Sequence, residues 1–130
     1  MDKHTTTLTV RYAETDRMGV VYYANYLVWF EVARTEFLKS RGVSYRDLEE
    51  KKNLHIMVVE SQCKHRYPAT YDDIITIETW IAKMKNVSMS FEYNVFSNGK
   101  LIAEGKTGHV VTNREGKPVK IPQSLKAKLF

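Results

Sequence analysis

The chain has 130 residues, 43% of them hydrophobic, and a formal net charge of +5. That length fits a single domain over residues 1–130 with a sizeable core, and the composition excludes a disordered chain. No apolar run is long enough to span a bilayer, the first residues lack the apolar run of a signal peptide, and the single cysteine, Cys63, excludes an intrachain disulfide, so a reduced cytoplasmic setting is the expectation.

The charge is unevenly placed. Residues 1–99 balance thirteen Lys/Arg against thirteen Asp/Glu, whereas residues 100–130 set seven Lys/Arg against Glu104 and Glu115. A solvated surface accounts for most of these lysines, and a polyanionic small molecule is the sharper reading. No aromatic residue is interleaved with them before Phe130, which argues against a nucleic-acid partner.

In chain order, Thr5–Tyr12 alternates and is β-branched, the pattern of a strand. Ala13–Val21 carries Asp, Gly and Met without periodicity and reads as a loop. From about Ala24 the spacing is helical, with Asn25 placed to cap the start and Gly42 the end. Leu27, Val28, Trp29, Phe30 and Val32 make this helix apolar nearly all round, which predicts burial. Ser44 to Asp47 has the form of a capping box for a short helix through Lys52. His55–Tyr67, Ile74–Met84, Val87–Phe96 and Lys100–Thr112 then read as strands. Asn98-Gly99 is a hairpin signal, Asn113–Gly116 a second turn, and Pro122 opens a short helix from Gln123. One long apolar helix among antiparallel strands calls for a curved sheet around it, an α+β architecture.

The chemistry concentrates between Tyr12 and Asn25. Asp16 lies in a Gly19-bearing loop that feeds the long helix. A helix N-terminus offers unpaired N–H groups and the positive end of a dipole, so an acid just before it faces whatever oxygen those groups hold. Carboxylate plus oxyanion donor is the minimum for acyl-transfer hydrolysis. The plainer role for Asp16 is as a turn residue.

The run Tyr12-x-x-x-Asp16-x-x-Gly19-Val-Val-Tyr22-Tyr23-x-Asn25-Tyr26-x-x-x-Phe30-Glu31-x-x-Arg34 resembles the 4-hydroxybenzoyl-CoA thioesterase family, which includes the acyl-CoA thioesterases associated with the Tol–Pal system. Tyr71–Thr79 fits the same family's third-strand region. The resemblance implies a hot-dog fold, a curved antiparallel five-stranded sheet wrapped around one long central helix, assembled as a homodimer or homotetramer with sites at the dimer interface. It implies acyl-CoA hydrolysis with Asp16 as nucleophile or general base and the Tyr23 backbone N–H as oxyanion donor. Tyr12, Gly19, Tyr22 and Asn25 fall at substrate-lining positions, and Lys83 and Lys85 at a turn that meets CoA phosphates. Many members carry His where this chain has Tyr23, which excludes an imidazole mechanism at that position. An acyl-carrier protein is the alternative carrier.

The remaining residues narrow the field. His4, His55, His65 and His109 are scattered, and Cys63 reads as a small hydrophobe in a strand, so neither a metal nor a cofactor is expected. No Gly-x-Ser-x-Gly elbow and no Gly-rich phosphate loop occur. Trp29 and Phe30 read as core, and Tyr22 and Tyr26 as candidates to shape an acyl pocket. Glu31 and Arg34 are spaced to pair within the helix, and Asp72 and Asp73 serve the turn before the third strand. The rival functions are a hot-dog dehydratase, which needs a site histidine, a non-catalytic acyl-CoA- or protein-binding module, and a basic nucleic-acid-binding domain, whose binding would fall steeply with salt.

Overall fold

The alternating N-terminal run forms β1, His4–Thr9, in a computed structural model that describes residues 2–130. The long helix α1 spans Asn25–Ser40 and the short α2 Tyr45–Lys51; β2 (His55–His65), β3 (Ile74–Met84), β4 (Ser88–Ser97) and β5 (Lys100–Thr112) follow, and α3 (Gln123–Leu129) ends the chain. The strands form one open, fully antiparallel sheet in the order β1-β3-β4-β5-β2. Strands β1 and β2 are its edges. This is the expected α+β, hot-dog arrangement.

Turn chemistry sets the registers. Asn98 and Gly99 both adopt positive φ, 50° and 86°, the pair of left-handed residues a two-residue hairpin needs. Ser44 Oγ accepts the Asp47 N–H at 3.3 Å, so the anticipated cap opens α2.

The sheet curls around α1 through interdigitated aromatic rings. Phe30 stacks on Tyr93 with centroids 4.2 Å apart, and Phe37 meets Phe91 edge-on at 5.7 Å. Trp29 and Phe30 are fully buried, as expected of core. Strand β5 makes room with Gly105, where a Cβ would run into the Phe30 ring.

Four expectations are corrected. Tyr12 does not end a strand: β1 stops at Thr9, and Tyr12–Glu14 is a 3-10 turn. Asn25 does not cap α1; Ala24 stands there without a side-chain bond, and Asn25 is the first helical residue. Helix α1 is not buried all round within one chain, because Leu27 and Val28 are 41% and 50% exposed. Glu31 and Arg34 do not pair: Glu31 accepts from Thr35, while the buried Arg34 donates to the Tyr93 hydroxyl at 3.2 Å. That bond joins a buried chain in which the Tyr93 hydroxyl meets Thr107 Oγ1 at 2.7 Å and Thr107 meets His109 Nε2 at 2.8 Å.

Candidate active site

The loop before α1 is a small hairpin closed by its own backbone. Asp16 N–H donates to Val20 O at 2.9 Å, and Gly19 N–H returns to Asp16 O at 3.0 Å. Gly19 sits at φ +80°, a conformation that strains any residue with a Cβ. Asp16 is exposed at the tip, and its Oδ1 accepts the Met18 N–H at 2.8 Å. One carboxylate oxygen therefore fixes the side chain and the other is free. The hairpin is tied to the body through Val21 N–H, which donates to Ala69 O at 2.8 Å.

The start of α1 completes the arrangement. The Asn25, Tyr26 and Leu27 N–H groups donate to Tyr22 O, Tyr23 O and Ala24 O. The Tyr23 and Ala24 N–H groups have no hydrogen-bond partner among the described residues. They are the open donors at the positive end of the helix. The Tyr22 and Tyr23 rings lie 4.8 Å apart beside them. The neighbouring Tyr23 phenol pushes the Tyr22 phenol above its ordinary pKa, and Asp16 adds a smaller push in the same direction.

Glu14 holds loop and helix together. It is 5% exposed, and its Oε1 accepts the Arg11 N–H at 2.8 Å while Oε2 accepts the Trp29 indole N–H at 3.0 Å. Its carbonyl accepts the Tyr22 N–H and the Asn25 side-chain amide, both at 2.9 Å. The Asn25 amide thus anchors the loop. Sequence reasoning passed over Glu14; the only signal was a second acid two residues before Asp16.

The other expected residues divide by location. Tyr12 is exposed near the loop, edge-on to Tyr71 at 5.8 Å. Tyr26 is buried under the helix start, and burial pushes its phenol up to about 12, whereas Tyr22 is exposed. Lys83 and Lys85 lie far from Asp16 of the same chain. Asp16 sits at the Thr70–Ile74 end of β3 through the Val20–Thr70 bridge, and Lys83 is near the other end, on the order of 30 Å along the strand at about 3.3 Å per residue.

Asp73 serves its turn, as expected. Burial works to raise its carboxyl, but bonds from the Thr70 N–H at 2.9 Å, Ser97 Oγ at 3.1 Å, Thr70 Oγ1 and the Asn98 amide outweigh it and hold the group below its usual range. Cys63 packs partly against the core, where burial lifts its thiol to about 11. Among the described residues no cluster of His, Cys, Asp and Glu is placed to hold a metal, and no helix is long and apolar enough to cross a membrane.

Comparison with known proteins agrees with this geometry. The family model described as "Thioesterase-like superfamily" matches residues 10–129. The chain is 36% identical over 120 residues to the "Putative acyl-CoA thioesterase YneP" of Bacillus subtilis (strain 168), covering 91% of this chain and 86% of that protein. It is 31% identical over 119 residues to the acyl-CoA thioesterase YbgC of Haemophilus influenzae, covering 91% and 88%. Among solved structures it superposes on the DHNA-CoA thioesterase of Staphylococcus aureus with a TM-score of 0.89 and 32% identity, covering 92% and 81%. With a family match over nearly its whole length and relatives above 30% identity, this chain belongs to the thioesterase-like superfamily.

Proposed function

We propose that the protein hydrolyses acyl-CoA thioesters to the free acid and CoA. The observation that carries this reading is the pair of unpartnered N–H groups of Tyr23 and Ala24 at the start of α1, in the same short segment as the half-free Asp16 carboxylate. The N–H groups hold the thioester carbonyl oxygen and stabilise it as it becomes an oxyanion. Asp16 takes a proton from water, and the oxygen of that water attacks the carbonyl carbon. Collapse of the tetrahedral species expels CoA as its thiolate, which leaves without a strong general acid. Alternatively Asp16 attacks directly, CoA thiolate leaves, and water opens the mixed anhydride. Label in the Asp16 carboxylate after a single turnover in H₂¹⁸O identifies the anhydride route, since general-base attack by water places label only in the released acid.

The working unit is a homodimer paired along β2. This edge strand offers Met57, Val58 and Val59, each 50–63% exposed, and the uncovered α1 face offers Leu27 and Val28. An exposed apolar edge strand is a template for a second copy. Antiparallel pairing of β2 with its mate reverses the partner end for end. It carries the partner's Lys83 and Lys85 toward the Asp16 end of this chain, which matches the separation of these residues within one chain. Tyr12, Tyr22 and Gly19 then line the acyl side. A tetramer adds a second such dimer, and the reduced Cys63 suits the cytoplasm.

The test is thiol release across aromatic, short-chain and long-chain acyl-CoAs, with Asp16→Asn alongside. Asn retains the bond to Met18, so the loop stays folded. Turnover is expected to fall by about 10²–10⁴-fold. Equal turnover in both proteins, or none on any substrate, overturns the reading in favour of an acyl-CoA-binding module.

A further inference from the structure

The chain that backs the Asp16 loop belongs to no strand or helix. Asp16 N–H donates to Val20 O at 2.9 Å, Val20 bridges to Thr70, and Val21 N–H donates to Ala69 O at 2.8 Å. Asp16, Val20 and Thr70 therefore stand in one row, with Thr70 two strand spacings, about 10 Å, from Asp16. Ala69 and Thr70 lie in the irregular connection between β2 and β3, so their place depends on what orders that connection. Asp73 orders it. Its Oδ2 accepts from the Thr70 N–H at 2.9 Å, from Thr70 Oγ1 at 3.2 Å and from Ser97 Oγ at 3.1 Å, and its Oδ1 accepts from the Asn98 amide at 3.5 Å. Its backbone carbonyl accepts the Val10 N–H at 2.9 Å, just before the loop begins. Asp72 beside it is held at φ +71°, a left-handed conformation that persists in a residue with a Cβ only where its surroundings enforce it. Among the described residues Asp73 forms no ion pair. Neutral donors alone hold its charge, so the carboxylate serves as a four-fold acceptor and not as a counter-ion. An amide in its place would turn N–H groups against donors.

We propose that Asp73 is a positioning residue for Asp16, acting through Thr70 and Val20 and itself held by the tip of the β4–β5 hairpin. Its effect on turnover rests on the thioesterase reading; its hold on the loop does not. Asp73 gathers Thr70, Ser97 and Asn98 around one carboxylate, Thr70 sets Val20, and Val20 sets the Asp16 backbone. Glu14 fixes the entry to the same loop, so the half-free Asp16 carboxylate is clamped from both sides relative to the open Tyr23 and Ala24 N–H groups. A group that must attack a carbonyl carbon, or aim a water at it, tolerates little displacement, and a shift of about 1 Å costs on the order of a hundredfold in rate. The Val20 and Thr70 backbone separates Asp73 from Asp16, so its loss removes no contact with bound substrate. The effect therefore falls on kcat and spares KM.

The experiment compares wild type with Asp73→Asn, Ser97→Ala and Leu129→Ala. Leu129 is a buried residue of α3 beside Arg41, at the opposite end of α1 from Asp16, so its truncation weakens the core away from the loop. The readouts are kcat and KM for thiol release, and the hydrogen-exchange rate of the Val21 N–H relative to that of the Phe30 N–H in the core of α1. Asp73→Asn is expected to lower kcat by about 10- to 100-fold with KM little changed, and to speed exchange at Val21 relative to Phe30. Ser97→Ala removes one donor and keeps the acid, so a smaller change of the same sign is expected. Leu129→Ala is expected to lower the unfolding midpoint while kcat and the exchange ratio hold. Unchanged kcat in Asp73→Asn, a raised KM with kcat kept, or an equal fall of kcat in Leu129→Ala overturns the proposal. Should Asp73→Asn fail to fold, Ser97→Ala decides on the same criteria. Absent thiol release in wild type overturns the thioesterase reading instead, and the exchange ratio then decides: an unchanged ratio in Asp73→Asn overturns the hold of Asp73 on the loop, and a raised one supports it.

Discussion

The Trp29 indole N–H donates to Glu14 Oε2 at 3.0 Å, joining the core of α1 to the loop that carries Asp16. The same carboxylate accepts the Arg11 N–H through its other oxygen. Glu14→Gln keeps the shape but turns an acceptor into a donor, so one of these N–H groups loses its partner. Stability is expected to fall by about 1–3 kcal/mol in urea unfolding. The kcat for thiol release is expected to fall as well, because the Asp16 loop loses its fixed relation to the helix start. Unchanged kcat with reduced stability would make Glu14 a packing residue alone.

Gly105 leaves room on β5 for the Phe30 ring of α1. An added methyl group would strike the Phe30 ring, which is held in place by its stack on Tyr93. Gly105→Ala is therefore expected to destabilise by about 1–3 kcal/mol through overpacking. Gly108→Ala is the comparison, since its Cβ would meet only ordinary contact with Glu60 at 3.5 Å. Similar unfolding midpoints for the two variants would refute the fit of Phe30 against the strand.

His109 gives the fold an acid-sensitive element. Burial, helped by the Arg34 charge, lowers its pKa from 6.5 to about 3. A base whose folded pKa lies below its unfolded value stays neutral in the fold and gains a proton on unfolding. Its contribution is fully present above about pH 6.5 and is lost as pH falls toward about 3. Unfolding free energy measured across that window is expected to decline less steeply in His109→Gln than in wild type. Parallel curves would show that His109 does not carry the dependence.

Val28, 50% exposed on α1, lies on the face assigned to a second copy. Val28→Glu is expected to shift sedimentation from dimer to monomer. Thiol release should fall with it, because Asp16 and the lysines of one chain stand at opposite ends of β3. A monomeric variant with full activity would show that one chain suffices.

Much of this was legible from the chain alone. Alternation in Thr5–Thr9, helical spacing from Ala24 and the Asn98-Gly99 hairpin are local signals set by side-chain direction and backbone preference, and they placed nearly every element. The Asp16–Gly19 loop running into α1 was legible for the same reason, since turn and helix start are neighbours in sequence. The errors arose where distant partners decide. Asn25 read as a cap because Asn favours that position, but the Glu14 carbonyl takes its amide. Arg34 read as the partner of Glu31 from helical spacing, but the curl of the sheet brings Tyr93 to it instead.

Sequence by itself determined the set of elements, their order, and the acid placed before a helix N-terminus, because each depends on residues within a few positions of one another. Tertiary structure alone decided that Glu14 bridges loop and helix, that the Tyr23 and Ala24 N–H groups stay open, and that Asp16, Val20 and Thr70 fall in one row. These depend on strand register and on the rotation of α1 against the sheet, which follow from the packing of the whole core and are written in no local stretch of the chain.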